Sequence, residues 1–271
     1  MTTTQPPRAG EMIREWRQRR RLSQLDLSVR TGVSTRHLSC VETGKATASR
    51  QLLRFLAQEL DVPLRERNVL LVAAGYAPEY GQTPLGDAHL APALDALDRL
   101  LASHEPYPAV IIDWHWNVVR RNASGAAITA GIAAELTQPP VNVLRSALHP
   151  GGLAPRILNL PEWSGHLLRR LRRQIDLSAD PLLIELEREV SRYPGIGERM
   201  APPPSHDLFV PLRLRYRHTE ITMLNTLTVF AAPLDAGLAD LVLESFHPID
   251  EHTAQVLRDA ADERAQSRAD A

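Results

Sequence analysis

The sequence predicts two domains of different class, a mainly α N-terminal domain of five short helices and an α+β domain with an antiparallel sheet. Three observations support this prediction. Residues 22–44 carry apolar side chains at helical spacing around a capping pattern and a glycine turn. Residues 208–247 instead alternate apolar and polar side chains, as strands exposed on one face do. Between them lies a segment rich in proline and glycine, residues 76–92.

Composition is consistent with two domains that have different roles. The chain of 271 residues is long enough for both. Thirteen basic and seven acidic side chains precede residue 75, so that part carries +6 and the remainder −7 of the net −1. A basic domain joined to an acidic one favours a polyanion-binding part with a sensing partner. The single cysteine, Cys40, excludes an intramolecular disulfide and a cysteine-based zinc site.

The segment from Leu22 to Gly44 predicts two short helices joined by a tight turn. Ser23 caps the first helix, and Asp26, three residues later, completes a capping box. Gly32 occupies the turn, where a positive φ is needed, and Ser34 caps the second helix. The second helix begins with small polar and basic residues. This arrangement is typical of a helix-turn-helix whose second helix enters the major groove of DNA.

These residues resemble the XRE family, the helix-turn-helix proteins of the Cro and phage-repressor type, over roughly residues 10–75. The resemblance is carried by Ser23-Gln24, Gly32-Val33-Ser34 and Glu42-x-Gly44. It implies a lambda-repressor-like fold of five helices and double-stranded operator DNA as the partner. Apolar spacing predicts the last two of these helices over residues 50–60 and 63–75.

We expect the start of the second helix to contact bases. Thr35 and Arg36 are the main candidates, because arginine can donate two hydrogen bonds to guanine; the alternative is that Arg36 contacts only phosphate. Ser39 follows one turn later on the same face, and His37 either reaches DNA or only completes the cap of Ser34. The predicted DNA-binding residues are Gln24, Ser34, Thr35, Arg36, His37, Ser39, Lys45, Thr47 and Arg50.

Residues around the second helix are predicted to support it. Lys45, the only lysine in the chain, is expected to attract the DNA backbone together with Thr47 and Arg50, the alternative being an ordinary solvated surface. The resemblance implies that Gln24 contacts phosphate or braces the recognition helix. It also implies a structural ion pair between Arg17 and Glu42 that does not read bases.

The second half predicts strands and helices in alternation. A strand over residues 109–113, a turn and a returning strand precede a helix at residue 123; two longer helices, a hairpin over 208–230, a strand over 238–247 and a final helix over 251–261 follow. The predicted boundaries are 1–78 for the helix-turn-helix domain, 79–92 for a linker, 93–262 for the second domain and 263–271 for a disordered tail.

This half resembles the MmyB-like ligand-binding domain that follows an XRE module in many bacterial regulators, over roughly residues 91–262. The resemblance is carried by Val110-Ile111-Ile112-Asp113, Trp116-Asn117-Val118-Val119, Asn122, the segment from Met223 to Phe230, and Leu243-Glu244-Ser245-Phe246-His247-Pro248. It implies a PAS-like antiparallel sheet packed by helices around a small-molecule cavity. Fatty-acid-like ligands are implied for some members.

The candidates for lining that cavity form a collective prediction, since each alone is as readily ordinary core. They are Trp116, Leu212, Leu214, Tyr216, Met223, Asn225 and Leu227. Asn225 stands on the apolar face of its strand and needs a hydrogen-bond partner, which is either a ligand or neighbouring backbone or water. Arg213, Arg215 and Arg217 either anchor a ligand carboxylate or form the solvated face of the sheet.

Together these features predict a bacterial, cytoplasmic, sequence-specific transcriptional regulator with no membrane partner, because no apolar run spans a bilayer and no signal peptide is evident. A homodimer on two half-sites is expected, with a small, apolar or fatty-acid-like effector in the second domain. Alternatively, the second domain only dimerises or recruits a partner protein. An enzyme with a DNA-binding head is the third hypothesis. We predict no enzymatic activity, cofactor or metal, because no reactive or metal-ligating motif occurs.

Overall fold

The computed structural model describes residues 9–81, 83–84, 87–197, 209–229 and 235–269. The chain divides into two compact units. Unit 1 comprises residues 1–85 and 232–239, and unit 2 comprises residues 86–231 and 240–271. Within the described ranges, no helix combines the length and the apolar character needed to span a bilayer.

Helices predominate over strands along the described chain. The helices are α1 (Ala9–Arg19), α2 (Gln24–Thr31), α3 (Thr35–Glu42), α4 (Arg50–Glu59), α5 (Leu64–Ala73), α6 (Ala91–Ser103), α7 (Ala123–Ile128), α8 (Val143–Leu148), α9 (Leu160–Ser178), α10 (Pro181–Val190), α11 (Ala236–Ala239) and α12 (Glu251–Ala269). The strands are β1 (Ala109–Ile112), β2 (Val118–Arg121), β3 (Leu212–Tyr216), β4 (Thr219–Val229) and β5 (Val242–Pro248). Short 3-10 turns occur at Ala88–Leu90, Ala134–Thr137 and Ala154–Arg156.

Helices α1–α5 of unit 1 confirm the predicted five-helix N-terminal fold. Ser23, Ser34 and Ser49 precede α2, α3 and α4, and each hydroxyl accepts a backbone N–H from the first turn of its helix. The helices enclose one apolar core. Its fully buried members include Ile13, Leu27, Leu38, Leu53, Leu56, Leu60 and Leu70. Because each cap acts within one helical turn and each helix has its own apolar spacing, the sequence pattern predicts the helices and their buried faces well.

Unit 2 is built on a five-stranded antiparallel sheet with the strand order β2-β1-β5-β4-β3, which confirms the predicted PAS-like α+β class. Directly paired residues of antiparallel strands point to the same face of a sheet. Val110 of β1 pairs with Arg121 of β2 and with Glu244 of β5, so these three side chains form one row. Residues from α7–α9 pack with Leu212 and Met223 in the hydrophobic cluster of this unit.

The end of the last helix and the start of the last strand differ from the prediction. Helix α12 continues to Ala269 where a tail was expected from residue 263, because Arg217 and Ser124 hydrogen-bond to its Glu263 and Arg264. Strand β5 begins at Val242, four residues late, because residues 236–239 form α11.

The expected linker is also partly structured. It contains the 3-10 turn at Ala88–Leu90 and the beginning of α6, with Pro92 in the first turn of that helix. The ends of the predicted hairpin, Leu208 and Phe230, lie outside the described residues.

Candidate functional site

The turn between α2 and α3 has the geometry that the sequence predicts. Ser23 and Asp26 form both hydrogen bonds of the capping box at the start of α2. Gly32 ends this helix with a φ of 69°, a left-handed conformation that glycine adopts without a Cβ clash. The Ser34 hydroxyl accepts the His37 backbone N–H at 3.2 Å. These contacts set the direction in which α3 leaves the turn.

Helix α3 has one buried face and one exposed face. Leu38 and Val41 are buried against the rest of unit 1. Thr35, Arg36 and His37 are exposed at the beginning of the helix. The predicted reading residues Ser34 and Ser39 are exposed and half-buried respectively, and Cys40 is half-buried. The helix therefore presents a polar, basic leading turn on its outer face, which is what insertion into a major groove requires.

A buried ion pair fixes α3 to α1. The Arg17 guanidinium donates to both Glu42 carboxylate oxygens, with Nε to Oε1 at 2.7 Å and Nη2 to Oε2 at 2.8 Å. Burial by itself would raise the pKa of Glu42, but hydrogen bonds from Arg17 and Gln24 outweigh it and hold this pKa below its ordinary value. This pair is the structural contact that the resemblance implied.

Gln24 belongs to the same network. Its side-chain Nε2 donates to Glu42 Oε2 at 2.8 Å, so Gln24 braces α3. Gly10 adds a second constraint, since a Cβ at this position would lie 2.0 Å from the carbonyl oxygen of Val41. Helix α1 can approach α3 this closely only with glycine at residue 10. The candidate reading surface is therefore held by contacts beneath it.

The three residues predicted to contact the DNA backbone have different environments in the structure. Lys45 and Thr47 are exposed after α3. Arg50 instead shares the Glu79 carboxylate with Arg54, with Arg50 Nη2 at 3.6 Å and Arg54 Nε at 3.0 Å. An ion pair reduces the positive charge that Arg50 offers to phosphate. Contact of these three residues with DNA remains a prediction.

Unit 2 contains a cavity of about 100 Å³, partly open to solvent, between the sheet and helices α7–α9. Most of its wall is apolar. The apolar wall includes Val110, Val118, Ile128, Val143, Leu153, Trp163, Leu167, Leu212, Met223 and Phe246. Polar side chains at the wall are Arg121, Thr129, Ser146 and Glu244. This combination of an apolar wall with few polar groups is typical of a small-molecule site.

Two of the seven predicted lining residues, Leu212 and Met223, border this cavity. Leu214 is fully buried in the surrounding core, and Leu227 is 45% exposed. Asn225 is half-buried, opposite Phe246 in the sheet register.

The two aromatic candidates lie elsewhere. Trp116 is buried and donates its indole N–H to Gln174 Oε1 at 2.9 Å. Tyr216 borders a separate open depression together with Arg156, Arg217 and Arg264. Ligand contact by all seven residues remains a prediction. In the described part of the chain, only Leu212 and Met223 of the seven border the cavity.

The arginine that borders the cavity is not one of the three that the sequence suggested. Arg213 pairs with Glu220 and Arg217 with Glu263, both at 2.7 Å, and Arg215 is exposed. They form the solvated face, one of the two predicted alternatives. Arg121 of β2 borders the cavity instead, with its Nη1 donating to Thr129 Oγ1 at 3.0 Å.

Sequence analysis missed the polar residues of the cavity. Glu244 could have been found, because it is a lone carboxylate within the apolar run of a predicted strand. Arg121 precedes the helix cap Asn122 and has no comparable pattern around it. Ser146 lies inside the short helix α8, where nothing in the local sequence distinguishes it from an ordinary core serine. In the described part of the chain, no cluster of three or more His, Cys, Asp or Glu side chains could hold a metal ion.

Comparison with known families agrees with this division. A model described as the MmyB-like transcription regulator ligand binding domain matches residues 94–260. A helix-turn-helix model matches residues 13–67. No curated protein matches the chain. The two matched ranges contain the exposed start of α3 and the cavity respectively.

Proposed function

Because the chain belongs to the family with the MmyB-like transcription regulator ligand binding domain, we propose that it is a homodimeric, sequence-specific regulator that senses a small apolar effector. A helix-turn-helix joined to this domain makes a DNA-binding transcription regulator with a ligand-binding domain. The exposed polar start of α3 carries the first part of the proposal, and the apolar cavity carries the second.

DNA recognition is assigned to the leading turn of α3. Thr35 and Arg36 contact base edges, and Lys45 contacts phosphate. One small helix-turn-helix buries too little surface for high specificity, so two copies bind half-sites one helical turn apart. The exposed side chains of Thr35, Arg36 and Lys45 and the support from the buried Arg17–Glu42 pair favour this assignment.

Selection of duplexes from a random library by the purified full-length protein tests DNA recognition. We expect enrichment of a palindrome with half-site centres about 10 base pairs apart, together with a dimer in analytical ultracentrifugation. A library without any enriched sequence at moderate salt would overturn sequence-specific binding. A single enriched half-site, bound by a monomer at all concentrations, would overturn the homodimer alone.

The effector class follows from the walls and the volume of the cavity. A space of about 100 Å³ is smaller than the roughly 150 Å³ cavity that admits benzene in another protein. A short acyl group therefore suits it, whereas a benzene-sized ring or a long fatty-acid-like chain requires the walls to separate. A ligand that displaces the walls binds two conformations unequally, as any switch of DNA affinity requires.

Filling the cavity tests effector sensing. Ala147 of α8 borders the space, and Ala147→Leu adds three carbon atoms to it. Native mass spectrometry of the purified protein and a thermal-shift screen of small apolar compounds should identify ligands for the wild type and not for this variant. Ala102→Leu, at an exposed position of α6, is the matched control and should retain ligand binding. Absence of any bound species from the wild type would favour a ligand-free dimerisation module.

A further inference from the structure

One hydroxyl at the cavity wall lacks the partner that burial demands. Ser146 is 6% exposed, and its Oγ has no hydrogen-bond partner among the described residues. Its backbone is fully engaged, since its N–H donates to Asn142 and its carbonyl accepts from Leu153. A buried polar atom without a partner is costly, so this hydroxyl calls for an explanation. It borders the cavity, where a ligand can reach it.

A carboxylate at the same cavity also accepts fewer hydrogen bonds than it can. Glu244 is 2% exposed, and its Oε1 accepts from the Arg170 guanidinium. Arg170 in turn lies 4.1 Å from the centroid of the Trp116 ring, so the cation is held in place. A carboxylate can accept about four hydrogen bonds, whereas the described residues supply Glu244 with one donor group.

The charges at this wall select the chemistry of a ligand. Arg170 neutralises Glu244, so the pair favours a neutral donor over a free cation. A ligand carboxylate beside Glu244 would set two acceptors together with no hydrogen between them, so it is disfavoured there. Arg121 lies two strands away in the same row, a separation of roughly 10 Å at the usual strand spacing. An acidic group, where an effector has one, therefore belongs near Arg121 and not near Glu244.

We propose that the effector carries a neutral hydroxyl that donates to the Glu244 carboxylate and accepts from the Ser146 hydroxyl, while an apolar body fills the remaining space. This inference rests on the proposed sensing function and makes it more specific. The ligand hydroxyl satisfies the orphan Ser146 hydroxyl and uses the free acceptor capacity of Glu244. A purely apolar molecule of equal size leaves the Ser146 hydroxyl unpaired and the remaining acceptor capacity of Glu244 unused, and such an unpaired group is how sites discriminate against an analogue that lacks the hydroxyl.

Phenol and toluene provide a matched test because they differ by a hydroxyl in place of a methyl group. Isothermal titration of the full-length protein should give phenol an affinity about tenfold higher than toluene, as expected for one well-made buried hydrogen bond. In Ser146→Ala this ratio should fall, because the phenol hydroxyl keeps only its bond to Glu244, while the toluene affinity stays unchanged. Ala147→Leu should abolish the binding of both compounds, which places them in the cavity.

Ser164→Ala is the matched control. Ser164 is buried in α9 of the same unit, but its hydroxyl is already satisfied by the Pro161 carbonyl at 3.2 Å. The phenol preference should survive this substitution. Equal affinities in the wild type, or a preference that Ser146→Ala leaves intact, would overturn the inference and leave apolar sensing in place. Failure of both compounds to bind the wild type at millimolar concentration would overturn both.

Discussion

The two units differ in where their candidate functional side chains stand relative to a packed core. In unit 1 the residues predicted to contact DNA lie outside a closed core, and buried contacts hold α3 from beneath. In unit 2 the core is incomplete, and Ser146 and Glu244 face the gap. Exposed residues can change with little effect on folding, whereas residues at a cavity contribute to packing as well as to recognition. Substitutions should therefore separate function from stability in unit 1 but not in unit 2.

The buried pair of Arg17 and Glu42, which holds α3 against α1, should give the greatest loss of stability when it is broken. Glu42→Ala leaves Arg17 buried without its carboxylate and should lower the free energy of unfolding of unit 1 by about 3–5 kcal/mol. Glu15→Ala removes an exposed partner 3.5 Å from Arg19 and should cost less than about 1 kcal/mol. Urea unfolding followed by amide hydrogen exchange in α1–α3 measures both. Equal losses would show that the buried pair is not the support.

Two leucines of β3 probe the incomplete core of unit 2. Leu214→Ala, in the closed part of the core, and Leu212→Ala, at the cavity, should each lower the free energy of unfolding by about 2–5 kcal/mol. The cost should be smaller at Leu212, because a side chain beside empty space has fewer contacts to lose. Thermal unfolding measures the difference, and toluene titration should show tighter binding to Leu212→Ala alone. A larger loss at Leu212 would contradict the assignment of the cavity.

Function and stability should separate at the surface of unit 1. Arg36→Ala should change which operator is preferred, with a loss of about 1–3 kcal/mol of discrimination at one base pair and no change in thermal stability. Lys45→Ala should weaken binding to all DNA sequences alike. The slope of the logarithm of the binding constant against the logarithm of the salt concentration should fall by about one. Binding to a panel of single-base operator variants at several salt concentrations distinguishes the two. If Arg36→Ala lowered the affinity for every operator variant equally, Arg36 would contact only phosphate.

The smallest effect is expected from acid. The pKa of Glu42 is lowered in the folded protein, so its stabilising contribution is complete above the ordinary carboxyl pKa of 4.5 and is lost as the pH falls through the lowered value. The stability of unit 1 should therefore decrease below about pH 4.5. Glu42→Gln, which cannot titrate, should flatten this part of the profile. Hydrogen-exchange protection of α3 between pH 6 and pH 3 tests the difference, and identical profiles would contradict it.

Much of unit 1 could be predicted because its determinants are local. Ser23 with Asp26, Gly32 and Ser34 each act within one helical turn, and the structure has the predicted capping contacts at all of them. The pairing of Arg17 with Glu42 spans 25 residues and followed only from the family resemblance. The pairing of Arg50 with Glu79 was not anticipated, since it depends on how the segment after α5 returns to α4.

The two domain classes, the polar start of α3 and the alternation of the sheet follow from local sequence, because helix caps and side-chain periodicity are encoded within a few residues. Which residues border the cavity depends instead on how distant segments pack together. Strand register placed Arg121, Val110 and Glu244 in one row, and the packing of α8 left the Ser146 hydroxyl without a partner. Val110 and Glu244 belong to strands that are far apart in the chain, and no local pattern specifies where their side chains meet.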